Sequence, residues 1–212
     1  MLQTWKKMAD RRGSFDIFDY LCSFFFLRIE NGKKMEKVVV KGKEFKLLLS
    51  ESKIKESIKI IADKINTDLE GKNPLFLAVL NGSFMFASDL MKNITIPCEI
   101  CFVKLASYEG MESGGKVKEV FGLSERIDGR TLVIIEDIVD SGRTMQQLLA
   151  SLSSRNPAEI RIATFLFKPA ALLSILKLDY VAFEIPNDFV IGFGLDYDGY
   201  GRNFGQVYTL AL

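Results

Sequence analysis

The sequence predicts an α/β protein built on a mostly parallel, doubly wound sheet. Three observations carry that expectation. Short apolar runs alternate with amphipathic helical stretches from Met35 onward. The run Thr131–Ile135 has no polar face, as a central strand covered on both sides requires. With 212 residues, 48% hydrophobic and 26% charged, the chain suits one α/β domain or one domain with an appendage, whose core needs no disulfide or metal staple.

Residues 1–34 differ in character and read as an N-terminal extension preceding a domain over 35–212. Basic Lys6, Lys7, Arg11 and Arg12 precede the apolar run Tyr20–Leu27, as in a signal peptide. Asp16 and Asp19 lie just before that run, however, and no small-residue cleavage site follows. Then Ile54, Ile58, Ile61, Ile65 and Leu69 recur at helical spacing between a candidate N-cap, Ser50, and a candidate stop, Gly71. Leu75–Leu80 reads as a buried strand, Asn81-Gly82-Ser83 as a turn, Phe84–Met91 as a helix and Glu99–Leu105 as a strand. Ser107–Lys116 is polar and glycine-containing, so it reads as a loop, with Val117–Leu123 as the returning strand. After Thr131–Ile135 come a helix at Met145–Leu152 and a strand at Ile160–Phe167, with Pro169 placed to open the next helix. Tyr180–Phe183 and Phe189–Phe193 close the pattern as strands.

The 28 basic and 27 acidic residues leave a net charge of +1, so no global field favours nucleic acid or an anionic membrane. The apolar stretches are too short to span a bilayer. There is no histidine, which removes Ser-His-Asp and Cys-His triads and leaves acid–base chemistry to Asp, Glu, Lys or Tyr. Cys22, Cys98 and Cys101 are an odd, sparse set, as in a reducing cytoplasm. Cys98 and Cys101 fall on a strand with thiols on opposite faces, which argues against a zinc or redox pair.

In doubly wound sheets ligands collect beyond the carboxyl ends of the strands. There the segment Glu136-Asp137-Ile138-Val139-Asp140-Ser141-Gly142-Arg143-Thr144 joins a buried strand to a helix through three carboxylates, a glycine and two hydroxyls. Backbone N–H groups of Ser141 to Thr144 at the helix start can cradle a phosphate, with the Ser141 and Thr144 hydroxyls as further donors. Glu136 and Asp137 are acceptors only, suited to two ribose hydroxyls or a hydrated Mg2+. The implied ligand is a sugar phosphate. A Walker loop is absent, and Gly192-x-Gly194 lacks the third glycine of a dinucleotide fingerprint.

This segment resembles the phosphoribosyl-pyrophosphate (PRPP) binding motif of the type I phosphoribosyltransferases, and the continuation is similar to the hypoxanthine(-guanine) branch of that family. The resemblance covers roughly Met35 to the C-terminus. It implies a small hood subdomain beside the sheet, Mg2+ as cofactor, a homodimer or homotetramer, a cytoplasmic location and no nucleic-acid or membrane partner. It also implies transfer of the phosphoribosyl group from PRPP to hypoxanthine, and to guanine, in purine salvage. Glu136 and Asp137 match the acid pair at the ribose hydroxyls, and Asp140 matches the acid near purine nitrogen 7. Lys168, a pure donor, matches the lysine that holds the 6-oxygen. Phe189 matches the stacking aromatic with the Val190 backbone beside it, and Asp196 a Mg2+-binding acid. The turn Leu80-Asn81-Gly82-Ser83 and Arg202 match the pyrophosphate contacts. The family commonly has Lys where this chain has Asn81, and often a cis peptide before that position. Ser107-Tyr108 resembles the start of a mobile lid that excludes water during transfer. Two other readings stay open at this level: a PRPP- or nucleotide-sensing RNA-binding regulator of the same fold, and a transferase acting on xanthine or a pyrimidine.

Overall fold

A computed structural model describes residues 36–107, 117–173 and 175–211. The chain runs through β1 (Lys37–Val40), β2 (Lys43–Leu49), α1 (Glu51–Asp68), β3 (Leu75–Leu80), α2 (Phe84–Met91), β4 (Glu99–Ser107) and β5 (Val117–Phe121). It continues through β6 (Thr131–Val139), α3 (Arg143–Ser153), β7 (Glu159–Phe167), β8 (Tyr180–Glu184), β9 (Val190–Ile191) and β10 (Val207–Leu210). Helix α1 starts where its pattern places it, with the Ser50 hydroxyl accepting from the Lys53 amide at 3.5 Å.

Six strands form one sheet in the order β5-β4-β3-β6-β7-β8. Within it β4, β3, β6, β7 and β8 pair in parallel, while β5 returns antiparallel at the edge. Strand alternation sorts the interior into two layers. Phe76, Ala78, Val133, Ile135 and Phe165 pack with Ile54, Ile58 and Ile65 of α1 and Phe86 of α2. Leu75, Leu77, Leu132 and Ile134 point the other way, onto Met145, Leu148 and Leu152 of α3. Helices on both faces make the sheet doubly wound.

A second, four-stranded sheet, β1-β2-β10-β9, is antiparallel and forms the hood. Its strands β1, β2 and β10 carry no signal in the sequence reading. Leu49, Val190, Phe193, Leu195 and Val207 tie the hood into the α1/α2 core layer.

Three expectations need correction. Strand β6 runs through Glu136 to Val139 instead of ending at Ile135, because β7 pairs with it as far as Val139↔Phe167. The acid pair therefore stands on a strand, not in a loop. Pro169 opens only a single 3-10 turn, Pro169–Ala171, after which Leu172 is extended. The Leu173 amide bonds the Ser141 carbonyl at 3.2 Å, which draws the chain back toward β6. The strand expected over Phe189–Phe193 shrinks to Val190–Ile191, since Gly192 (φ 100°) and Phe193 (φ 47°) turn the backbone.

The topology fixes where a ligand can lie. From β3 the chain moves outward to β4 and then returns to β6 on the other side of β3. That reversal is a switch point, beyond which adjacent loops diverge and leave a crevice. Here β3 pairs with β6 only to Ala78↔Ile135. From Glu136 onward β6 has no ladder partner in β3. Among the described residues no helix is long and apolar enough to cross a membrane.

Candidate active site

The crevice is lined by Glu136, Asp137, Val139, Asp140, Ser141 and Thr144, with Ile138, Gly142 and Met145, and encloses about 160 Å3. Strand β6 delivers the acids, and α3 begins where the strand ends. Gly142 sits at the helix N-cap with φ 78°, a left-handed conformation that costs glycine nothing. No side chain caps this helix. Its first amides are therefore open to an anion in front of them, and the helix dipole favours one there.

The two acids on β6 are held differently. Asp137 Oδ1 accepts from the Ile138 amide at 2.9 Å. The Glu136 side chain is half-covered overall, but its Oε2 is fully buried without a hydrogen-bond partner. Burial, reinforced by the Asp137 charge beside it, pushes the Glu136 carboxyl well above the usual range. An acceptor left unsatisfied in a folded protein calls for a donor from outside.

Gly82 faces Asp137 across the switch point. A Cβ on Gly82 would fall 1.4 Å from Asp137 Oδ2, so only glycine lets this turn lie against the acid. The Leu80–Asn81 peptide is cis, as the resemblance implied, and Asn81 is exposed. Ser83 turns inward and donates to the Val79 carbonyl at 2.6 Å.

Lys168 stands at the end of β7, the neighbour of β6. Its backbone amide bonds the Val139 carbonyl at 2.9 Å, and its Nζ reaches Asp140 Oδ2 at 3.5 Å. The lysine side chain is 10% exposed and the Asp140 carboxylate 53%. One of the pair is thus anchored in the protein while the other faces the crevice. A fixed donor and a fixed acceptor lie side by side.

The hood contributes the remaining candidates. Phe189 is 48% exposed and Val190 is buried. Asp196 is already engaged, accepting from the Gly199 amide at 2.6 Å and pairing with Arg202 at 2.6 Å. Arg202 also donates to the Gly194 carbonyl at 2.7 Å. Gly194 packs against the Gly82 carbonyl, so the hood loop abuts the turn at the crevice. Ser107 ends β4, whereas Tyr108 and the rest of the proposed lid, 108–116, lie outside the described residues.

The structure thus brings together Glu136, Asp137, Asp140, Ser141, Gly142, Thr144, Gly82 and Lys168, with Arg143 exposed at the first turn of α3. It joins Asp196 and Arg202 to each other and holds Phe189 in an aromatic group with Phe45 and Tyr197. Sequence reasoning gave no role to Phe45 or Tyr197. Phe45 is far from Phe189 in the chain, and no local spacing could signal their contact. As for a divalent cation, no three acidic side chains converge on one point among the described residues. The Glu136–Asp137 pair still fits Mg2+, which is usually held by one or two carboxylates together with substrate oxygens and water.

Comparison with known proteins agrees with this geometry. Residues 46–198 match the phosphoribosyl transferase domain family. Over 166 residues the chain is 41% identical to a hypoxanthine-guanine phosphoribosyltransferase of Lactococcus lactis, covering 78% of this chain and 90% of that protein. It is 39% identical over 163 residues to the bifunctional protein TilS/HprT of Listeria monocytogenes, spanning 76% of this chain but only a quarter (25%) of that longer relative. The crystal structure of a hypoxanthine phosphoribosyltransferase from Staphylococcus aureus superposes with a TM-score of 0.72 at 33% identity, covering 78% of this chain and 91% of that one. The sheet order, the acid pair on β6 and the uncapped helix beyond it have the same meaning as these likenesses: the chain belongs to the phosphoribosyltransferase family.

Proposed function

We propose that this chain is a purine-salvage enzyme that transfers the 5-phosphoribosyl group of PRPP to hypoxanthine, and to guanine, releasing pyrophosphate and the nucleoside monophosphate. The observation that carries the reading is the Lys168–Asp140 pair, 3.5 Å apart beside a crevice of acids and open helix amides. A purine presents nitrogen 7 and the 6-oxygen side by side on one edge. Lys168 is a donor only, so it bonds the 6-oxygen and meets the amino group of adenine badly. Asp140 accepts the proton carried at nitrogen 7, leaving nitrogen 9 free to attack the ribose.

The other residues take roles that suit their surroundings. The amides at Ser141, Gly142, Arg143 and Thr144 hold the 5-phosphate, and Glu136 and Asp137 accept from the ribose hydroxyls. Glu136 Oε2, buried and unpartnered in the free chain, turns toward the crevice to gain that donor. The Asn81-Gly82 turn and Arg202 face the pyrophosphate. Arg202 must exchange at least one of its contacts to Asp196 and Gly194 to reach it. Phe189 stacks on the base, with the Val190 backbone beside its edge. Mg2+ held from the Glu136–Asp137 pair, and at a separate point from Asp196, each time with substrate oxygens and water, would neutralise charge on the departing pyrophosphate. Ser107 and Tyr108 begin a lid over the site, residues 1–34 are an extension ahead of the domain, and the enzyme is a cytoplasmic homodimer or homotetramer.

The test is pyrophosphate release from PRPP and Mg2+ with hypoxanthine, guanine, xanthine, adenine and uracil supplied separately. Hypoxanthine and guanine should support release while adenine and uracil should not. Silence with every 6-oxopurine would end this reading.

A further inference from the structure

The ring of Phe189 is 48% exposed, and an exposed ring without neighbours spreads over several rotamers. Here it has neighbours. Phe45 of β2, fully buried, lies with its ring centroid 6.4 Å away at 47°. Tyr197 meets Phe189 edge-on at 5.7 Å and 83°, and Phe45 and Tyr197 contact each other at 6.2 Å. All three separations fall within the range where aromatic rings attract. The Phe189 carbonyl is pinned separately, accepting from the Leu210 amide at 3.0 Å. Backbone and ring are thus fixed from two directions.

Hairpin β1–β2 also holds Tyr197 itself. Lys43 Nζ lies 4.7 Å from the Tyr197 ring centroid and Lys41 Nζ 5.0 Å from that of Tyr200. Lys41 also pairs with Asp198. Tyr197 and Tyr200 exchange backbone hydrogen bonds of 2.9 and 3.1 Å. Two lysines of the hairpin therefore sit over two tyrosines of one turn, and that turn follows Asp196 directly. Lys43 and Phe45 precede residue 46, where the family match begins.

We propose that Phe45, Tyr197 and Lys43 are positioning residues that hold the Phe189 ring in its stacking pose, so that hairpin β1–β2 sets affinity for the purine but not for PRPP. The inference rests on the reading that Phe189 stacks on the base. A ring ordered before binding loses less freedom on binding, and that gain appears in the base alone.

Steady-state kinetics with hypoxanthine and PRPP varied in turn test it. Tyr197→Leu should raise the hypoxanthine KM about three- to tenfold, with the PRPP KM and kcat moving less than about twofold on the same scale. Tyr197→Phe keeps the ring and should restore the hypoxanthine KM. Lys43→Met, at an exposed position, should raise it about twofold. Phe45→Leu is a core change and is interpreted only if its melting temperature shows a folded protein. Phe189→Leu separates the two ideas. If it raises the purine KM while Tyr197→Leu and Lys43→Met do not, the positioning inference fails and the stacking reading stands. If Phe189→Leu has no effect, the stacking reading itself fails. A parallel rise in both KM values for Tyr197→Leu would show general loosening of the hood and also overturn the inference.

Discussion

The two ends of the main sheet differ in how they hold charge. At the amino ends of the strands most acids meet bases, although Glu125 Oε2, on the loop before β6, is buried there without a hydrogen-bond partner. Arg130 meets Glu99 through two bonds of 2.8 and 3.2 Å, Lys72 and Arg161 meet Glu159 at 2.7 and 3.0 Å, and Lys177 meets Asp179 at 3.0 Å. At the carboxyl ends, Glu136 keeps a buried oxygen without a partner and α3 starts without a side-chain cap. The acidities diverge accordingly. Glu159 is held below the ordinary value, first by its bond from Lys72, whereas burial raises Glu136 well above it. The amino end holds most of its acids in pairs with bases, whereas the carboxyl end places an unpartnered acid and an uncapped helix at the crevice. Substitutions at the two ends should therefore separate stability from catalysis, and each experiment below can break that division.

The largest effect belongs to Asp140→Asn. The substitution preserves shape, removes the acceptor for the nitrogen 7 proton and leaves Lys168, at 10% exposure, without its counter-charge. Turnover should fall about 10²- to 10⁴-fold, the usual worth of a general base. PRPP affinity measured by calorimetry should stay within a few-fold, because the ribose and phosphate contacts lie on other residues. Unchanged turnover would remove Asp140 from the reaction.

Next comes Gly82→Ala. A methyl group there would lie 1.4 Å from Asp137 Oδ2, so the carboxylate must swing away from the turn. Losing one charge-assisted contact to the ribose is worth about 1.5–3 kcal/mol, roughly a ten- to hundredfold weakening of PRPP binding. The thermal midpoint should fall less than PRPP affinity does, although moving the carboxylate also disturbs its bond from the Ile138 amide. A large drop in stability with normal PRPP affinity would mean that the turn supports the fold and not the site.

Asp179→Asn probes the opposite end. Its side chain is 7% exposed, and Oδ2 accepts from the Ile162 amide at 3.0 Å while Oδ1 faces Lys177 and Arg161. Asparagine can keep the amide contact but not the two cations. Denaturant unfolding should show a loss of about 1–2 kcal/mol. The hypoxanthine and PRPP kinetics should not change, because the change lies at the far end of the strands from the crevice.

The two ends also differ in how far the sequence discloses them. The crevice is lined by one unbroken stretch, Glu136 to Met145 apart from Arg143, so position after a buried strand and residue chemistry sufficed to find it. The fold followed from alternation for the same reason: β3 and α2 are local patterns of apolar side chains. Long-range pairing was invisible. β10 joins β2 through Thr209↔Lys46, across most of the chain, and four-residue strands such as β1 are too short for periodicity to resolve. Pro169 is equally suited to open an α-helix or a 3-10 turn; the bond from Leu173 to Ser141 decides the matter, and no spacing encodes it. Asp196 and Arg202 could each be picked out as ligand-facing residues. That they face one another is a property of the folded hood.

The smallest effect, Glu136→Gln, tests the division most directly because it should strengthen the fold while weakening the function. The unfolded-state carboxyl titrates near the ordinary glutamate value of about 4.3, and burial raises it in the folded protein. Between the two values the folded state binds more protons than the unfolded one, so stability falls as pH rises through that interval. Below the unfolded value both states are protonated and the wild type carries no penalty; above the folded value the full penalty is present. Glutamine does not titrate. The variant should therefore melt at the same temperature as wild type near pH 4 and progressively higher as the pH is raised above that, by about 2–4 °C for each kcal/mol recovered. PRPP affinity at pH 8 should drop, because an amide is a poorer acceptor than a carboxylate for the ribose hydroxyls. Melting curves that stay parallel at every pH would show that Glu136 is not strained by its burial, and the contrast between the two ends of the sheet would then rest on the uncapped helix alone.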